Sequence, residues 1–122
     1  MSMEDYAANY GFSVSRRAGQ LIFFSGQVGT GPTGEVPSNP AEQYSLAFEA
    51  LRLALSTEGC IPADLVELLT FHVDYPQHME DFVAAKAKFL GNARPTWTAI
   101  GVANLGAPGT LVEIKAVALA KT

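Results

Sequence analysis

Apolar residues alternate through residues 110–119. Val112, Ile114, Ala116 and Ala118 would line one face of a strand, and Leu111, Glu113, Lys115, Val117 and Leu119 the other. The stretch before it, residues 97–103, reads as a further strand, expected to pair with it through the glycine- and proline-containing loop at 106–109. Near the N-terminus, residues 12–17 and 20–25 read as a hairpin turning at Ala18-Gly19. Leu21-Ile22-Phe23-Phe24 is apolar on both faces, so both should be covered. Residues 26–34, with four glycines, read as a plain loop; the lysine and following helix of a phosphate cradle are missing.

The pattern then changes period. Asn39 can cap a helix, Pro40 suits its first turn, and Glu42 completes a capping-box-like start. Tyr44, Ala47, Phe48, Leu51 and Leu55 recur at helical spacing as far as Gly59. Residues 65–73 are rich in branched and aromatic side chains, as in a strand. A second helix spans about residues 79–90, with Met79, Phe82, Val83 and Phe89 inward and Gly91 as its stop. The order β-β-α-β-α-β-β predicts an α+β fold, a single sheet with both helices on one face. The other face, expected to carry Leu69, Phe71, Trp97, Ala99, Val117 and Leu119, has no helix left to cover it, so another subunit should.

Composition agrees with that expectation. The 122 residues make one domain, 1–122, with 48% hydrophobic and 16% charged residues. That charged fraction is below the roughly 25% usual in soluble domains, as expected if oligomerisation hides surface. The net charge is −4, and Arg16-Arg17 is the only adjacent basic pair, so nucleic-acid binding has no electrostatic support. The apolar runs are too short to span a bilayer, and the N-terminus lacks signal-peptide character. The lone Cys60 cannot form an internal disulfide and is read as inert. His72 and His78 have no partner at ligand spacing, so neither a metal nor a cofactor is expected. Ser25 lacks a His-Asp pair and is read as a backbone-supporting hydroxyl. Cytoplasmic location is the simplest reading.

The chemistry concentrates at Glu113. A carboxylate among apolar neighbours costs several kcal/mol, on the order of what an unpaired buried charge costs, unless it is paired, hydrogen-bonded or facing a wet cavity. With Trp97 on a shared inner face, it would mark a small-molecule site. The alternative is an ordinary strand glutamate bridged to Lys115.

Several local motifs in this order resemble the RidA/YjgF family, also called endoribonuclease L-PSP. They are Leu21-Ile22-Phe23-Phe24-Ser25-Gly26-Gln27-Val28, the Gly34-Glu35-Val36 turn, Pro40-Ala41-Glu42-Gln43, Asp81-Phe82, Pro95-x-x-x-Ala99-Ile100-x-Val102 and Leu111-Val112-Glu113-Ile114. The resemblance implies a fold like chorismate mutase of the bacillus type, assembled as a homotrimer with clefts between subunits. It implies hydrolysis of reactive enamines or imines such as 2-aminoacrylate to a keto acid and ammonia. Glu113 matches the family's water-orienting glutamate, and Tyr10 the tyrosine that closes the cleft, although Ala8-Asn9-Tyr10 replaces the usual Gly-Pro-Tyr. Trp97 stands where the family has a carboxylate-binding arginine, and Trp has one N–H and no charge. Losing a charged contact of about 2–4 kcal/mol should weaken carboxylate binding several hundredfold. Arg94 is expected to point away from Trp97. Lys115 shares the Glu113 face and could pair with it or meet an anionic substrate. Backbone N–H groups from Ala99 to Gly101 would polarise the substrate, and Trp97 would stack on it. The leading expectation is thus an enamine/imine deaminase-type hydrolase with little 2-aminoacrylate activity. A non-catalytic small-molecule binder or chaperone-like trimer is the alternative, and an endoribonuclease the weaker one.

Overall fold

The computed structural model describes residues 2–121. Its elements are α1 (Met3–Tyr10), β1 (Ser15–Ala18), β2 (Leu21–Val28), α2 (Pro40–Thr57), a 3-10 turn (Pro62–Asp64), β3 (Leu65–Val73), α3 (Met79–Leu90), β4 (Thr96–Val102) and β5 (Val112–Leu119). The strands form one five-stranded sheet in the order β1-β2-β5-β3-β4. β3 and β4 are parallel, and the other neighbours are antiparallel. The α+β architecture is the expected one, with two corrections.

The first concerns pairing. β4 does not lie beside β5: β3 runs between them, hydrogen-bonded to both. A strand followed by a helix and another strand closes most readily as a parallel crossover, and β3-α3-β4 is such a unit. The second correction is α1, for which no element was expected. Ser2 caps it by accepting the Asp5 N–H at 3.1 Å, and Gly11, at φ 79°, ends it. Its eight residues bury only Ala7, so no apolar stripe announces it.

The α2 start follows its sequence signals. Asn39 Oδ1 accepts the Ala41 and Glu42 N–H groups at 2.9 and 3.4 Å. Tyr44, Ala47, Phe48, Leu51 and Leu55 are all buried. They meet Ile22, Phe24, Leu68, Val112, Ile114, Ala116 and Ala118, the inner face of the sheet. α3 adds Phe82, which is fully buried and sits 5.3 Å from Tyr44, 5.4 Å from Phe48 and 4.6 Å from His72 between ring centroids. Val83, expected inward, is 44% exposed, and Leu90 is buried instead. The helical spacing of Phe82, Phe89 and Leu90 sets the inner stripe, and Val83 falls beside it.

β2 continues through Val28, so the expected loop at residues 26–34 begins as strand. Three steps from Phe24 to Gln27 face two steps from Ala116 to Ile114, which defines a β-bulge at Ser25-Gly26. The opposite sheet face carries Phe23, Leu69, Phe71, Ile100, Glu113, Lys115, Val117 and Leu119, and neither α2 nor α3 packs on it. Phe23 is 41%, Ile100 39% and Leu119 47% exposed.

Phe82 joins both helices to the sheet. Phe82→Ala is expected to cost about 3–5 kcal/mol, measured as a lower denaturant midpoint with an unchanged slope.

Candidate functional site

Two strands and a bulge place Glu113. On β5 it stands opposite Val28 of β2 and Phe71 of β3, on the face away from α2 and α3. The bulge brings Gly26 against the carboxylate: a Cβ on Gly26 would lie 2.5 Å from Glu113 Oε2 and 2.6 Å from its Cδ and Cγ. Only glycine leaves the side chain where it is, and alanine would push the carboxylate aside.

Among the described residues, Glu113 has no hydrogen bond or ion pair. Burial pushes its carboxyl above the ordinary carboxylate range. Lys115 does not bridge to it; the Lys115 ammonium lies 5.7 Å from the Phe23 ring centroid. The bridged alternative is therefore not what the structure holds.

A cavity of about 510 Å³ adjoins Glu113. Its wall includes Tyr6 and Phe12, the bulge residues Ser25, Gly26 and Gln27, and loop residues Gly106 and Ala107. The Tyr6 and Phe12 rings meet edge to face at 5.9 Å. Tyr10 is 71% exposed and does not line the cavity itself; its ring packs on Tyr6 at 4.6 Å. The Ser25 hydroxyl donates to Ser13 O at 2.6 Å, the supporting role expected of it. Gln27 Nε2 donates to Ser25 O at 3.2 Å.

Gln43 had no role in the sequence reading, yet it frames this region. It is 2% exposed, and its Nε2 donates to Pro37 O at 2.8 Å and to Gly109 O at 3.1 Å, while its Oε1 accepts from Leu111 N at 2.8 Å. These bonds tie α2 to both ends of the segment that enters β5. Buried glutamine in a helix with polar neighbours was the available signal.

Trp97 is not on the Glu113 face. It registers with Leu68, which registers with Ala116, and both belong to the core. Ala99 and Gly101 follow on the same side, opposite Thr70 and His72. The shared inner face expected for Trp97 and Glu113 is thus corrected: the alternation of β4 has the opposite phase, and Ile100 faces the Glu113 side. The Trp97 indole N–H donates to Thr70 Oγ1 at 2.9 Å, and Lys86 Nζ lies 4.2 Å from the ring centroid. Thr70 Oγ1 is also 2.8 Å from His72 Nε2. Burial lowers the His72 pKa, keeping the ring neutral. Arg94 is spent elsewhere, donating to Gly91 O and Ala93 O at 2.9 and 2.8 Å. Among the described residues, no three His, Cys, Asp or Glu side chains gather as metal ligands, and no helix is long and apolar enough to cross a membrane.

A mixed sheet backed by two helices, with a half-buried carboxylate on its other side, defines a class of small α+β proteins. A profile described as Endoribonuclease L-PSP matches residues 3–120, and the chain belongs to that RidA/YjgF family. It is 36% identical over 112 residues to the RutC family protein YjgH of Escherichia coli (strain K12), covering 91% of this chain and 84% of that one. A solved structure of protein YJGH superposes with a TM-score of 0.86 at 32% identity, covering 99% of this chain and 92% of that chain. The structure of Rv2704 from Mycobacterium tuberculosis, of the YjgF/YER057c/UK114 family, gives 0.83 at 29% identity, with 97% and 94% covered.

The Glu113 environment makes a pH prediction. A folded-state pKa raised above the unfolded one means that the native state holds the proton more tightly. The associated stability is full below the unfolded pKa and is lost as pH rises through the folded pKa. Glu113→Gln should therefore melt a few degrees higher than the parent at neutral and alkaline pH, with the gap closing in acid. Melting curves across pH check this.

Proposed function

We propose that this protein hydrolyses a reactive enamine or imine, as an enamine/imine deaminase-type enzyme, beside Glu113. The observation that carries this reading is the carboxylate itself, unpaired, half-buried and pressed against Gly26 at the wall of the cavity. As a base, Glu113 takes a proton from water while the water oxygen bonds to the imine carbon. The C=N electron pair moves to nitrogen, which takes from Glu113 the proton that water gave up. Glu113, a carboxylate again, then removes the hydroxyl proton of the carbinolamine and delivers it to the nitrogen as the C–N bond breaks, leaving a carbonyl and ammonia. One water enters, and one carbonyl compound and one ammonia leave. A carboxyl with its pKa lifted toward neutrality serves both steps better than an ordinary one.

Substrate-polarising N–H groups near Ala99 to Gly101 remain part of this reading. β4 is an edge strand, so half of its N–H groups point away from β3. Within one protomer β4 is two strands from β5, roughly 10 Å away. Reaching Glu113 therefore calls for a neighbouring copy, and a homotrimer that buries Phe23, Ile100 and Leu119 would supply it. Light scattering is expected to return the mass of three chains; a stable solitary chain would remove the intersubunit cleft. Trp97 is dropped as a stacking residue beside Glu113, because its indole lies on the helix side of the sheet with Lys86 over the ring. With no arginine at that position, little 2-aminoacrylate turnover is expected.

The second reading is a non-catalytic small-molecule binder. Its support is that no Lys or Arg stands among the described residues lining the cavity. The same absence, with a net charge of −4, leaves ribonuclease activity the least supported. Ammonia release from a panel of enzymatically generated imines separates the first two. Wild type is expected to accelerate at least one, and Glu113→Gln to lower that rate by about 10²–10⁴-fold. A rate unchanged by the substitution would refute the role of Glu113.

A further inference from the structure

The chemistry of the cavity narrows what can enter it. Among the described residues, Glu113 is the only charged one in its lining, and no basic side chain faces that carboxylate. Two neighbouring side chains already spend a donor on the protein. Ser25 gives its hydroxyl proton to Ser13 O, and Gln27 gives an amide proton to Ser25 O. The Glu113 carboxylate at the same wall can only accept when ionised, which suits a ligand that brings N–H donors. Tyr6 and Phe12 add aromatic surface to the same wall and are 43% and 37% exposed, so their rings are available. Aromatic faces with a nearby carboxylate are the usual recipe for holding an organic cation.

We infer that this cavity takes a ligand with a positively charged nitrogen on an aromatic or apolar body, an aryl-alkyl ammonium or iminium, and discriminates against carboxylates. The inference rests on the reading that the space beside Glu113 is the substrate site. A cation entering there pairs the Glu113 carboxylate, whose ionised form burial alone disfavours. A carboxylate entering meets like charge and no guanidinium fork. Lys115 offers no substitute, since it stands over Phe23 and outside the lining. The volume of about 510 Å³ holds one substituted ring with a short amine arm. On this view the charged partner of Glu113 comes with the ligand.

The test uses the full chain and three probes of matched shape: benzylammonium, benzyl alcohol and benzoate, titrated calorimetrically at neutral pH. Benzylammonium is expected to bind roughly tenfold or more tightly than either of the others. Glu113→Gln should abolish that preference, bringing benzylammonium down to the level of benzyl alcohol. Tyr6→Ala, at an exposed position, should weaken benzylammonium binding and serves if Glu113→Gln folds poorly. Benzoate binding as tightly as benzylammonium, a preference surviving in both variants, or no binding by any probe overturns the inference. The two readings fail separately. Benzylammonium binding without ammonia release from any imine leaves the ligand class and removes the hydrolase. Turnover of carboxylate-bearing imines with benzylammonium ignored does the reverse.

Discussion

Strand β5 is hydrogen-bonded along both edges, to β2 and to β3, and its register constrains everything else in the fold. Val112, Ile114, Ala116 and Ala118 must face the helices, because together they are the floor on which α2 packs. With a side-chain period of two, Glu113 then has no choice but to emerge on the other side. A slip by one residue would bury two charges in the core and expose four apolar side chains. The cost of the candidate site is therefore underwritten by the packing behind it, and the carboxylate can sit unpaired without loosening the sheet.

Two close backbone approaches convert that register into a shaped site. The bulge at Ser25-Gly26 brings a residue without a side chain against Glu113. One turn of chain later, Gly29 lies so near the Gln43 carbonyl of α2 that any Cβ would collide with it. Gln43 then clamps the loop before β5 through Pro37, Gly109 and Leu111. The glycine-rich stretch is thus a joint between sheet and helix, where local composition alone suggested a free loop.

The elements with strong local signals were legible: the Asn39 cap, the helical spacing from Tyr44 to Leu55, the bounds of α3 and the alternation of β5. Family motifs spread from Leu21 to Ile114 added the topology. What escaped was set by contacts between distant segments. Strand neighbours depend on the crossover through α3, so sequence adjacency wrongly suggested β4 beside β5. The phase of β4 was ambiguous because Thr96 to Val102 alternates weakly, with small or apolar residues on both faces. Trp97 was consequently placed with Glu113 when Ile100 belonged there. For the site, Glu113 stood out because it broke an apolar run, whereas Tyr6 and Phe12 joined it only through α1, which the pattern did not reveal. Gly26 was visible as a residue but its purpose was not.

The Thr70 hydroxyl sits between two aromatic rings. The Trp97 indole can only donate, so Thr70 Oγ1 must accept from it. The same oxygen lies 2.8 Å from His72 Nε2, to which it offers its own hydrogen or its second lone pair according to the tautomer of the ring. His72 Nδ1 finds no partner among the described residues. The indole at the position of the missing arginine therefore shares one hydroxyl with a buried imidazole, so that replacing Trp97 would also change what the His72 ring meets.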